Sequence, residues 1–240
     1  MMDNRIYTAA FVSNLFNQMS GSYERMNTLT SFGFYPLWRQ QAVKKIALKP
    51  GDHVADLMTG IGECWSAILK KIGPEGCLTA LDFSEGMLAK AQKRSLKYSS
   101  YQIHILQESV FNNSIPDSSQ DAVICAYGMK TFTHEQIRDF SKEVHRILKP
   151  GGSFSLVDVS LPKPRSMRAL YLFYISKVIP FLSRLFTTSE ESYKMLGIYS
   201  KNFQNAQKTA LLFKESGLKV SYCEYFFGCA TGIYGQRPLN

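Results

Sequence analysis

Asp56, Gly60 and Gly62 fall within one stretch, VADLMTGIGECWSAILKKIG at 54–73, which reads as a short apolar strand, an acid, a Gly-x-Gly turn and an amphipathic helix. Glycines in such a turn let the backbone approach a ligand where a side chain would clash. A pyrophosphate-binding turn calls for a third glycine three residues after the second, and here that position is Trp65. The turn therefore suits a nucleotide-like ligand without a pyrophosphate.

The next apolar run, CLTALDF at 77–83, ends in Asp82, 26 residues after Asp56. An acid at the tip of the second strand of a βαβ unit is placed to accept hydrogen bonds from both hydroxyls of a ribose. The competing role, capping the helix that follows, is better filled by Ser84. A ribose acceptor beside a short glycine turn fits S-adenosylmethionine (SAM), a nucleoside ligand with no pyrophosphate.

These elements need a sheet to hold them. The chain has 240 residues, 45% hydrophobic, enough for one large α/β domain (1–240) with a substantial core. No run reaches the roughly 18 apolar residues of a membrane span; the longest candidate, Leu170 to Phe186, is interrupted by Lys177, Pro180 and Arg184. The opening MMDNRIYTAAF has an early acid and no long apolar run, so no signal peptide is expected. Cys64, Cys77, Cys125, Cys223 and Cys229 form no CxxC and no metal spacing. Reduced thiols, a cytoplasmic location and no metal are the expectation. The net charge of +9 admits an anionic partner or transient contact with an anionic membrane surface. The lysines are scattered, with no basic run interleaved with aromatics, which argues against nucleic acid.

Short apolar runs at 53–57, 77–82, 102–106, 121–126 and 153–159, most separated by helical patterns, predict parallel βαβ units with helices on both faces. The segment 4–47 reads as amphipathic helix with breaks at Gly21, Gly33 and Pro36. A helix at 134–148 ends at Lys149-Pro150-Gly151-Gly152, a strong stop and turn. Residues 166–199 are helical and aromatic-rich, with Tyr171, Phe173, Tyr174, Phe181, Phe186, Tyr193 and Tyr199, and suit an inserted lid at 164–202. A helix at 203–216 and strand-like runs at 218–227 and 229–235, paired as an antiparallel hairpin on the sheet edge, complete the pattern. The fold class expected is α/β: a Rossmann-like, seven-stranded, mostly parallel sheet with an N-terminal helical cap at 1–47 and a helical lid.

Several segments together resemble the class I SAM-dependent methyltransferases, and within them the C-methyltransferases of ubiquinone and menaquinone biosynthesis. They are LFNQMSGSYERMNTLTSFGFYPLWRQ (15–40), DLMTGIGE (56–63), LDFSEGMLAKA (81–91), IPDSSQDAVICAYGMKTF (115–132), EVHRILKPGGSFSLVDVSLPK (143–163) and YLFYISKVIPFLSRLF (171–186). The resemblance implies a cofactor turn of Gly60, Ile61 and Gly62 braced by Asp56, with Asp82 on the ribose and Phe83 beside it. Ser109 and Val110 fall on the family's adenine-contacting pair, and Glu108 could take the exocyclic amine instead. Ala126 would lie under the sulfonium, and Tyr23 falls on a tyrosine that closes over the cofactor.

The departures fall on the acceptor side. The family's Gly-Leu-Arg-Asn is Gly128-Met129-Lys130-Thr131, its Glu-Ser in the second lid helix is Ile198-Tyr199, and its C-terminal His is Ile233. That pattern implies a small, largely apolar or aromatic acceptor other than the usual quinone. A demethylquinone C-methyltransferase, a phospholipid N-methyltransferase and a SAM-binding protein that transfers no methyl group are the alternatives. A phenol or enol acceptor must lose a proton, and a nearby cation eases that loss. Lys130 is the candidate cation, the other reading being a solvated loop lysine. Tyr127 could stack on or hydrogen-bond the acceptor, or be core, and His134 is a candidate base at the acceptor mouth. The expected partners are a small-molecule acceptor, a membrane surface and a second copy of the chain.

Overall fold

The computed structural model describes residues 4–186 and 190–239. Residues 1–3, 187–189 and 240, and the side chains of 185–191, lie outside the described residues. Parts of the 1–47 and 164–202 segments, and the Phe186 ring, therefore stand outside this description.

Five strands run parallel: β1 (His53–Leu57), β2 (Cys77–Asp82), β3 (Gln102–Gln107), β4 (Gln120–Ala126) and β5 (Leu148–Val159). Two more, β6 (Lys219–Tyr225) and β7 (Ala230–Gln236), are antiparallel, β7 pairing with β5 and β6 with β7. The sheet order is β3-β2-β1-β4-β5-β7-β6. The strand order reverses between β1 and β4, and in open α/β sheets that switch point at the carboxyl ends is where ligands bind. Central strands covered on both faces read as unbroken apolar runs, which is why Val54, Ala55 and Leu57 of β1 and Ala122 to Cys125 of β4 are all fully buried.

Helices α3 (Phe34–Val43), α4 (Trp65–Ile72) and α5 (Glu85–Ser95) supply the core of one face, through Val43, Trp65, Ile68, Leu69 and Leu88. Helices α6 (His134–Ile147) and α10 (Gln207–Glu215) cover the other, through Phe140, Val144 and Phe213. The start of α6 is fixed by a capping box, in which the Thr133 hydroxyl accepts from Gln136 N while the Gln136 side chain accepts from Thr133 N. A third cluster lies over the carboxyl ends of the strands. There α1 (Ala9–Met19), α2 (Tyr23–Thr30) and α3 meet α7 (Arg165–Phe173), α8 (Ile179–Phe186) and α9 (Glu190–Phe203). A π-helical turn at Tyr174–Val178 joins α7 to α8.

Two local expectations differ from the structure. Pro36 does not break the N-terminal segment but sits in the first turn of α3, after the left-handed Gly33. A residue there has no intrahelical acceptor for its amide, so proline costs nothing. The Lys-Pro-Gly-Gly sequence ends α6 as expected, but it then runs inside β5, with a register shift between Gln120 and Ala122 and a positive φ of 79° at Gly151.

The β6–β7 hairpin depends on a close approach. A Cβ at Gly235 would lie 1.8 Å from the Lys219 carbonyl oxygen, whereas one at Gly21 would meet nothing within 4 Å. Gly235→Ala is expected to destabilise the fold by about 1–3 kcal/mol through overpacking, and Gly21→Ala by far less. Urea midpoints measure both; equal midpoints would contradict this packing of the hairpin.

Candidate active site

The carboxyl ends of β1, β2 and β5 each hold a buried carboxylate whose partners come largely from the loops that follow these strands and β4. Asp56 accepts from the Thr59 hydroxyl at 2.5 Å, and that hydroxyl accepts from the Trp65 indole at 2.8 Å. The turn is thereby tied to the first residue of α4. Gly60 and Gly62 take positive φ angles of 57° and 79°, and a Cβ at Gly62 would sit 2.7 Å from the Trp65 ring. A Cβ at Gly60 would meet nothing within 4 Å, so the backbone there faces open space. Burial raises the Asp56 carboxyl to about 7, against the lowering effect of its hydrogen bonds.

Asp82 spans two loops. Its Oδ2 accepts from Gly60 N at 2.8 Å and its Oδ1 from Ser84 N at 2.9 Å. Ser84 caps α5, so the acid is left facing the cleft. Burial raises its carboxyl, opposed by these backbone donors.

Immediately after β1 and β4, Met58 and Tyr127 adopt left-handed backbone, with φ of 55° and 69°. Such positions cost about 1–3 kcal/mol each and collect at functional sites. They turn the two adjacent strands apart and open a narrow cleft of about 40 Å³ whose walls include Gly60, Asp82, Phe83, Ala126, Tyr127 and Tyr23. A larger cavity of about 300 Å³ adjoins it under α7, α8 and α9, walled by Phe34, Trp38, Tyr171, Tyr174 and Tyr199 among others. Phe16, Tyr23 and Thr131 line both spaces.

Of the residues expected to touch a cofactor, Tyr23, Gly60, Asp82, Phe83 and Ala126 are thus gathered on one cleft. Asp56 and Gly62 stand behind it as supports, and Ile61 opens onto a neighbouring groove with Lys90 and Arg94. Glu108 spends its carboxylate on Ser114 N at 2.7 Å and on the Ser114 hydroxyl. The Ser109 hydroxyl accepts from Phe111 N at 3.3 Å, and Val110 is buried in the core under the sheet.

The acceptor-side residues differ more from expectation. Lys130 is not solvated on a loop but buried in the large cavity's wall, with its Nζ 3.0 Å from Asp158 Oδ1 and donating also to the Tyr127 carbonyl. Asp158 further accepts from Lys130 N at 2.8 Å and Val159 N at 2.7 Å. Two of the three ammonium protons are therefore accounted for and the charge is paired, so this group acts as a fixed donor rather than a bare cation. Tyr127 is committed to packing: its ring lies 3.8 Å from that of Tyr35 and its hydroxyl donates to the Tyr35 carbonyl. Tyr35 in turn shares a 2.8 Å hydrogen bond with Tyr23, and burial pushes all three phenols up. They are donors and walls, not bases.

His134 is exposed at the start of α6, in a separate cavity with Tyr7 and Asn202, and is not brought to Lys130. Ile233 also lies away from the large cavity, buried among Phe154, Leu156 and Phe213, and Ile198 is exposed. Tyr199 does line the cavity, donating to the Ile6 carbonyl at 2.5 Å. Sequence reading missed Asp158, Thr59 and Tyr35. The first had a signal, an acid inside the apolar run SLVDVS; the others had none beyond their neighbours.

Two measurements check this geometry. Asp82→Ala is expected to weaken SAM binding by about 10- to 100-fold, the worth of hydrogen bonds to a charged group, with circular dichroism unchanged; equal affinity by calorimetry would contradict the ribose placement. Asp56, with its carboxyl raised in the folded state, stabilises most below its unfolded value of about 4. That contribution is lost as pH rises through about 7. Asp56→Asn is therefore expected to gain stability relative to the native chain between those pH values. Parallel pH profiles of the two melting temperatures would contradict the buried, raised carboxyl.

The cleft has what SAM requires. A carboxylate stands at its wall with unused acceptor capacity, and the backbone at Gly60 is open to close approach. Behind the glycine turn Arg39 and Glu63 pair at 3.0 Å, yet Arg39 Nη1 and Glu63 Oε1 make no aligned hydrogen bond, so polar capacity remains beside it. The model of the ubiE/COQ5 methyltransferase family matches residues 3–236. The demethylmenaquinone methyltransferase of Lysinibacillus sphaericus is 30% identical over 233 residues, covering 97% of this chain and 98% of that one. The demethylmenaquinone methyltransferase of Desulfitobacterium hafniense is also 30% identical over 233 residues, covering 96% and 91%. Among solved structures, a SAM-dependent methyltransferase from Aquifex aeolicus superposes with a TM-score of 0.56 at 21% identity, covering 83% of this chain and 89% of that one. The CurJ carbon methyltransferase does so at 0.54 and 18%, covering 81% and 50%, so these two share the fold. With its sheet order and a match over nearly its whole length, the chain belongs to the ubiE/COQ5 methyltransferase family and is a SAM-dependent methyltransferase.

Proposed function

We propose that this enzyme C-methylates a demethylquinol-type aromatic acceptor bearing an apolar tail. The observation that carries the reading is the 300 Å³ cavity, apolar and tyrosine-walled, which meets the cofactor cleft at Tyr23 and Thr131. Relatives at about 30% identity that are demethylmenaquinone methyltransferases support it. The expectation of a different acceptor rested on three altered segments; of their residues Ile198 and Ile233 do not wall the cavity, whereas Lys130, Thr131 and Tyr199 do. Lys130 is the only charged residue on that wall among the described residues, which disfavours an ammonium-forming acceptor such as a phospholipid amine. In this reading the whole chain is one domain, with the described parts of 1–47 and 164–202 closing over the site, and the enzyme works in the cytoplasm. Among the described residues no helix is long and apolar enough to cross a membrane. An acceptor with a long apolar tail resides in a bilayer, so peripheral contact with a membrane surface belongs to the same proposal. A homodimer stays an expectation from the resemblance.

When bound, SAM supplies a methyl group already activated for in-line displacement. The protein's share is alignment and dryness. Holding two reactants in attack geometry is worth roughly 7–11 kcal/mol, and helices α7 to α9 with α1 and α2 exclude water from the junction. The remaining Lys130 N–H points to a hydrogen bond with the acceptor's ring oxygen. There it favours the phenolate left when the acceptor's phenol gives its proton to solvent; the negative charge is delocalised onto the carbon to be methylated, and that carbon's C–H proton passes to solvent once the methyl–sulfur bond has broken. Asp158 positions that ammonium and Tyr127 closes over its other side.

The direct test is transfer of labelled methyl from SAM to demethylmenaquinol by the purified enzyme. Labelled menaquinol is the expected product; SAM binding with no transfer to this acceptor would restore the reading of a changed substrate. Lys130→Met is expected to lower kcat by about a hundredfold, the scale of losing one oriented donor, with SAM affinity unchanged. Because it leaves Asp158 buried and unpaired, the double variant K130M/D158N should be assayed beside it. Undiminished kcat in either would remove Lys130 from the chemistry.

A further inference from the structure

We infer that the outer face of the α7–α8 helix, with the Phe226–Phe227 turn and Phe32, docks on an anionic lipid bilayer and sets the mouth of the acceptor cavity against it. The inference rests on the apolar-tailed acceptor proposed above and names the surface that would receive it.

The exposed stripe along α7, the π turn and α8 is formed by Arg165, Ala169, Phe173, Lys177 and Phe181. Their spacing keeps to one side of the helix. Phe173 and Phe181 are each 60% exposed, Phe227 67% and Phe32 80%. Large aromatic rings so open to water mark an interaction surface. Their neighbours tie them to the cavity wall. Phe32 and Phe226 line the cavity, Phe32 stacks on Tyr174 next to Phe173, and the Tyr174 hydroxyl donates to the Thr30 carbonyl at 2.7 Å. These contacts join the end of α2 to the lid helix. Phe226 and Phe227 take positive φ of 43° and 56°, a conformation that L-residues avoid, and it holds Phe227 outward.

The charge pattern selects the partner. Between Asp158 and Glu190 the chain has Lys163, Arg165, Arg168, Lys177 and Arg184 and no Asp or Glu. Lys163 pairs with Glu224 of β6, and Arg165, Arg168 and Lys177 share the helix with the aromatics. On α2, Arg25 and Leu29 are exposed ahead of Phe32, and Arg25 also lines a groove with Lys90, Lys93 and Lys97, where Glu24 is paired with Arg94. Aromatics and cations on one helix face, without acids, form the pattern of an interfacial helix on anionic lipid. A protein partner of the same charge preference would not need exposed rings tied to the wall of an apolar cavity.

The test is co-sedimentation of the full chain with phosphatidylcholine vesicles, with and without about a quarter phosphatidylglycerol, in the absence of SAM and acceptor. Binding to the anionic vesicles is expected, weakening as salt rises from about 0.05 M to about 0.5 M. F173S/F181S and F227S should each reduce it, the double variant by about tenfold or more. Unchanged SAM affinity by calorimetry certifies that each variant is folded. R165E/K177E, which removes no apolar surface, should reduce binding to the anionic vesicles as well. A native chain that stays in solution with both vesicle types, or folded variants that sediment as the native does, would overturn the inference. Vesicle binding without methyl transfer to demethylmenaquinol would refute the acceptor reading and leave the surface standing.

Discussion

Three carboxylates, Asp56, Asp82 and Asp158, are buried at the carboxyl end of the sheet, and none can stay there without donors. An unpaired charge in such a place costs several kcal/mol or more. Each acid draws its donors from the chain at that end of the sheet: Thr59, beyond β1, for Asp56; the amides of Gly60, beyond β1, and Ser84, beyond β2, for Asp82; and Lys130, beyond β4, with the Val159 amide at the end of β5, for Asp158. The loops that form the site are fixed by the acids they must satisfy. The cleft between them is what remains once those hydrogen bonds are made.

From that constraint the two spaces follow. Met58 and Tyr127, in left-handed backbone after β1 and β4, turn neighbouring strands apart where the sheet order reverses. The narrow cleft beside Asp82 and the broad apolar cavity beneath α7 to α9 meet at Phe16, Tyr23 and Thr131. In the proposed reading the polar side would take the nucleoside and the apolar side the acceptor, with the paired Lys130 in the wall of the apolar side. The stacked Tyr35 and Tyr127 rings, held neutral by burial, keep that seam rigid and dry.

The parts legible in the sequence are those whose signal is local. The apolar runs of β1, β2 and β4 sit where the pattern puts them because strands buried on both faces admit little else. The turn around Gly60 and the acid at Asp82 were readable because backbone approach and strand-tip position each demand one residue type. What pairs across distance was not. Lys130 reads as a loop cation until the topology sets it against Asp158, 28 residues away on the neighbouring strand. Tyr127 reads as an acceptor contact until Tyr35, 92 residues earlier, stacks on it. Ile233 was assigned to the acceptor side by resemblance, but alternation along β7 turns its side chain to the opposite face of the sheet, into the core with Phe213.

In a crystal structure with S-adenosylhomocysteine, the ribose hydroxyls are expected on Asp82, the Gly60 backbone against the ligand, and the sulfur directed to the junction at Tyr23, Ala126 and Thr131. A ligand held elsewhere, or one whose ribose leaves the Asp82 carboxylate bonded only to Gly60 and Ser84, would contradict this placement.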